Sequence, residues 1–172
     1  MAGRREILID AYNVIYADPR LNPLMRRDVE GAREEFLALV AQRIPADGSQ
    51  TYVVFDAMRD PRPATGTGRT NQEYHRGIHV IYARETADTW IRERIQNAAE
   101  PALITLVTSD REILETARAH GAGVLRVSDF LQLAARRHAR TREIRDTEKP
   151  GHTSKREIAE WERLFGEPRE DE

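Results

Sequence analysis

Five short apolar runs, largely β-branched, punctuate this chain: Ile7–Ile9, Tyr52–Phe55, Ile78–Tyr82, Leu103–Val107 and Val124–Val127. They are continuous rather than alternating, so as strands they need cover on both faces. Between them apolar residues return at helical spacing. Val29, Ala32, Phe36 and Val40 form one such series, and Ala87, Ile91, Ile95 and Ala98 another. Ile113, Leu114 and Ala117 mark a shorter helix that "HGAG" (120–123) closes. Ser128 is a candidate cap for a further helix carrying Phe130, Leu131, Leu133 and Ala134. Strands alternating with helices predict a central, mainly parallel five-stranded sheet between two helical layers. Residues 57–77, with two Pro, three Gly and no period, read as one long loop.

The chain has 172 residues, enough for one domain with a real core. The core pattern fades near residue 138. Residues 1–138 are therefore expected to form the domain, and 139–172 a basic connector with a helical tail. That tail opens on a capping box, "SKRE" (154–157), ahead of Ile158, Trp161, Leu164 and Phe165. The net charge of −2 conceals an asymmetry. Residues 136–156 carry 8 basic and 3 acidic side chains, and residues 157–172 carry 2 basic and 7 acidic. There is no cysteine, which excludes disulfides, thiolate zinc sites and cysteine nucleophiles. With no long apolar span and no signal peptide, a cytoplasmic protein without membrane contact is expected.

Acids gather where strands end. The first run ends at Asp10, the second at Asp56 ("VVFDA"), and the fourth at Asp110 ("VTSD"). The third is followed by "RETAD", which puts Asp88 in the first turn of the next helix. In a parallel sheet these ends share one edge, the edge where open α/β sheets bind ligands. Asp110 and Asp88 each have an ordinary alternative as helix-terminal acids. Asp10 is harder to dismiss, because "AYNVIY" resumes an apolar character immediately after it. Two carboxylates ~4 Å apart repel by roughly 4 kcal/mol at an effective dielectric near 20. That crowding calls for a cation, and hard oxygen donors without Cys point to Mg²⁺ or Mn²⁺ held by Asp10, Asp56, Asp88 and Asp110. Asn13 either orients water or a phosphate oxygen, or closes a local Asx turn.

Other chemistries find no support. No His pair has ligand spacing on a predicted helix, "GTG" (66–68) neither follows a strand nor opens a helix, and "TSD" lacks a nucleophile elbow. Two arginine groups could meet phosphates. Arg59, Arg62, Arg69 and Arg76 lie in or beside the long loop, expected on the acidic edge. Arg136, Arg137 and Arg140 begin the basic segment, a candidate for docking on RNA, the ribosome or another ribonucleoprotein. Tyr12, Tyr16 and Tyr74 could stack on bases or pack in the core.

Taken in order, "IDAYNVI" (9–15), "VVFDA" (53–57), "ETAD" (85–88) and "TSD" (108–110) resemble the NYN-domain ribonucleases of the PIN-like group. The YacP-like branch is the nearest in pattern, sharing "EKP" (148–150) and a final helical tail. The resemblance implies a PIN-like α/β/α sandwich and a metal-dependent endoribonuclease acting on single-stranded RNA. It makes Asp10 and Asp88 the principal metal ligands, with Asp56 and Asp110 completing the pocket directly or through water and Asn13 positioning phosphate or water. Met58 departs from the pattern, standing where a polar residue, often His, is expected. The competing expectation is a non-catalytic RNA- or ribosome-binding module of the same fold.

Overall fold

The computed structural model describes residues 3–45, 47–56 and 70–133. The strands are β1 (Glu6–Asp10), β2 (Gln50–Asp56), β3 (Thr70–His75), β4 (Ile78–Ala83), β5 (Ile104–Val107) and β6 (Gly123–Leu125). The helices are α1 (Ala11–Ala17), α2 (Leu21–Met25), α3 (Val29–Ala41), α4 (Ala87–Gln96), α5 (Arg111–Ala119) and α6 (127–133). The described strands form one sheet in the order β3-β4-β2-β1-β5-β6. Every pairing is parallel except β3 with β4. The topology switches at β1, which has β2 on one side and β5 on the other.

Strand parity divides the core in two. Ile7, Ile9, Val53, Phe55, Val80 and Val107 pack against α1, α2, α3 and Phe130 of α6. Leu8, Tyr52, Val54, Ile81 and Leu106 pack against α4 and α5. Continuous apolar strands are thus covered on both faces, giving the PIN-like α/β/α sandwich.

Several elements differ from the sequence reading. A sixth strand, β3, runs through the segment read wholly as loop. Its residues "TNQEYH" carry no apolar run because β3 is an edge strand, and 72–75 are exposed. A two-residue turn at Arg76 (φ 49°) and Gly77 (φ 86°) returns it to β4, the left-handed pair that tight hairpins use. The apolar stretch after Asp10, given no element in the sequence reading, is the seven-residue α1. Asp18 ends it: its backbone N–H bonds the Val14 carbonyl, and its buried carboxylate accepts from the N–H groups of Arg20 and Leu21 at the start of α2. Val127 opens α6 instead of ending β6. The Arg126 carbonyl accepts from Asp129 and Phe130, so Ser128 lies within the first turn. The close of α5 is as expected, with Gly121 at φ 77° and Ala122 N–H reaching back to the Ala117 carbonyl. The predicted tail helix and the 138/139 division lie outside the described residues.

Candidate active site

Parity also decides where the strand-end acids stand. Asp10 follows Leu8, Asp56 follows Val54 and Thr108 follows Leu106, all on the face that packs against α4 and α5. Both helices begin just after the C-terminal ends of β4 and β5, so their first turns meet the same edge. Asp88 lies in the first turn of α4 behind the cap Thr86, and Asp110 is the N-cap of α5.

Asp10 is only 9% exposed, and two hydrogen bonds hold it. Thr108, fully buried, donates from Oγ1 to Asp10 Oδ2 at 3.1 Å. The Asn13 N–H donates to Asp10 Oδ1 at 3.4 Å, which makes Asp10 the N-cap of α1. Asp10 is therefore itself a helix cap, hidden in sequence because the helix it caps is short and apolar. Thr108 Oγ1 also accepts the Asp110 N–H at 3.1 Å, and Asn13 Oδ1 accepts the Ser109 N–H at 2.9 Å. The ends of β1 and β5 are thus laced together by side chains. With Oδ1 committed, Asn13 keeps its NH₂ as its remaining polar end.

Burial dominates the electrostatics. Desolvation pushes the Asp10 carboxyl up to about 6, with Asp88 and Asp110 adding repulsion against the hydrogen bonds from Thr108 and Asn13. Asp88 is also shifted upward, chiefly by desolvation, while Arg92 pulls it down and Asp110 and Glu112 push it up. Arg92 Nη2 lies 2.8 Å from Asp88 Oδ2 and 2.9 Å from Glu112 Oε2, tying α4 to α5. Asp110 Oδ1 accepts the N–H groups of Glu112 and Ile113 at 2.9 and 3.4 Å, so the capping role read for it is real.

Asp10, Asn13, Asp88 and Asp110 are therefore brought together. Asp56, half-buried, shares their edge and face but lies about 7 Å further along β2 than Val54, the partner of Asp10. Among the described residues no three Asp, Glu or His side chains are drawn tightly enough to enclose an ion. The donors are nonetheless all oxygen and two of the carboxylates are held uncomfortably ionised. That chemistry suits a hydrated hard cation, which takes one or two carboxylates and keeps its waters.

Arg76 does not stand over the acids. The hairpin turn delivers it to the opposite edge, where β4 begins, because β3 runs back across the sheet. Arg59, Arg62, Arg69, Arg136, Arg137 and Arg140 lie outside the described residues. Tyr12 is buried in the core, its phenol bonded by the buried Arg33, whereas Tyr16 and Tyr74 are exposed. Two residues of the edge escaped the sequence reading: Thr108, whose only signal is a hydroxyl placed directly after a buried strand, and Arg92, whose signal is its i,i+4 spacing from Asp88.

A mainly parallel PIN-like sandwich with acids at its topological switch point defines a nuclease-like fold. The chain belongs to the YacP-like NYN domain family, which matches residues 7–164, and NYN domains act on RNA. It is similar to YacP of Bacillus subtilis (strain 168), 28% identical over 124 residues, 71% of this chain and 69% of that protein. Its fold is similar to a crystal structure of Rae1 (YacP) from Bacillus subtilis, a tryptophan-to-leucine variant, with a TM-score of 0.63, 28% identity and 85% and 86% of the two chains covered. A second crystal structure of that protein gives 0.59 at 28% identity, covering 80% of each chain. No helix among the described residues is long and apolar enough to cross a membrane.

Proposed function

We propose that this protein is a metal-dependent endoribonuclease that hydrolyses phosphodiester bonds of single-stranded RNA. The observation that carries the reading is Asp10: a carboxylate buried at the switch point, within electrostatic reach of Asp88 and Asp110, and gripped by Thr108. A fold gains nothing in stability from desolvating an acid beside two others. Such strain is common where a charged ligand is to be bound.

Asp10 and Asp88 would hold Mg²⁺ or Mn²⁺, with Asp56 and Asp110 contributing through water. When bound, such an ion lowers the pKa of a water and offsets charge building on the phosphate during in-line displacement. The chain's own contributions are positional. Thr108 keeps one Asp10 oxygen in place, and the Asn13 NH₂ can donate to a phosphate oxygen without adding charge. Cleavage that expels the 3′ oxygen leaves a 5′-phosphate.

The test is cleavage of a labelled single-stranded RNA by the wild type, Asp10→Asn and Asp88→Asn, with and without EDTA. Either substitution should abolish cleavage while the circular dichroism spectrum stays native, and EDTA should silence the wild type. Undiminished activity in both variants would end the proposal. RNA binding that survives EDTA in a protein that never cuts would favour the non-catalytic binding module.

A further inference from the structure

We propose that Arg92 is a built-in counter-cation of the acidic edge, which yields Asp88 to a divalent ion and is then retained by Glu112. The inference rests on the metal reading above and adds a residue that controls it. Arg92 lies on α4 one turn beyond Asp88, and its guanidinium bridges to Glu112 on α5. Its hold on Asp88 is poor for an arginine. A fork would use two nitrogens on one carboxylate. Here both carboxylates share Nη2, and Nε is buried without a hydrogen-bond partner. The guanidinium is thus placed to neutralise the edge without being locked to it.

Glu112 supplies the other half of the device. It is 81% exposed, carries no part of the core, and offers an oxygen to the same nitrogen that holds Asp88. Losing Asp88 would leave Arg92 one carboxylate, so release costs less than stripping a lone ion pair. A divalent ion entering at Asp88 therefore competes with Arg92, and Glu112 lowers the free-energy cost of that exchange.

The experiment measures Mn²⁺ affinity of the full chain by the electron paramagnetic resonance signal of free Mn²⁺, for wild type, Arg92→Gln, Glu112→Gln and the double variant. Thermal midpoints confirm that each is folded; Arg92→Met, which also removes the charge, stands in if Arg92→Gln is not, and Arg92→Lys, which keeps it, is the control. Arg92→Gln should bind several-fold more tightly, and Glu112→Gln more weakly than wild type. The double variant should bind like Arg92→Gln, because Glu112 acts only through Arg92; Arg92→Lys should stay near wild type. Additive effects would mean simple through-space charge and would overturn the proposal, as would unchanged or weaker binding in Arg92→Gln. If all variants bind alike, only the role of Arg92 falls. If none binds Mn²⁺, the metal reading falls and the proposal with it.

Discussion

Asp10 concentrates the tension of this protein in one carboxyl group. Below pH about 3.8 it is protonated in folded and unfolded chains alike, and its burial carries no charge penalty. Between there and about 6 the unfolded chain gives up its proton first, so stability falls as pH rises. Above about 6 the penalty is complete, on the order of 3 kcal/mol for a shift of this size. Asp10→Asn, which can still accept from Thr108 or Asn13, should therefore raise the urea midpoint at pH 7.5 in EDTA. That gain should fade by pH 4. An equal gain at both pH values would show that the charge is not its source. The acids themselves were legible in sequence, since each ends or follows an apolar run. Thr108 was not, because its partner Asp10 lies 98 residues away, and for Arg92 only the i,i+4 link to Asp88 was, since Glu112 lies 20 residues away and the fold alone makes it a neighbour.

Among elements, the buried strands were legible and the edge was not. β1, β2, β4 and β5 have both faces covered, and that need writes itself as continuous apolar residues. β3 has one paired neighbour and an exposed surface, so "TNQEYH" looks like loop. α1 was hidden for a related reason: Ala11, Tyr12, Val14 and Ile15 are all buried, which leaves little polar contrast in seven residues. One hydroxyl, that of Thr108, bonds both the Asp10 carboxylate at the end of β1 and the N–H of Asp110, the cap of α5. Thr108→Val keeps the shape but leaves an oxygen of Asp10 and the Asp110 N–H without this partner, a loss of about 1–3 kcal/mol for the buried oxygen and less for the half-buried N–H. Urea denaturation should show that loss, and Thr108→Ser should recover most of it. A valine variant as stable as wild type would remove Thr108 from any structural role.

At the scale of the whole molecule, the charge asymmetry makes its own prediction. The basic stretch 136–156 carries an excess of five positive charges over a near-neutral body. Replacing Arg136, Arg137, Arg140, Arg142 and Arg145 by glutamine should weaken RNA binding and flatten its dependence on salt, since fewer counterions are then displaced. An unchanged salt slope would assign RNA contact to the body alone. The topology has another consequence. Among the described strands β1 is made before the others, yet the strand that completes its acidic end, β5, begins only at residue 104. A ribosome part-way through synthesis therefore carries Asp10 without Thr108, Ser109 or Asp110. A chain cut short of β5 thus has the buried carboxylate without the hydroxyl and the second acid that complete its edge.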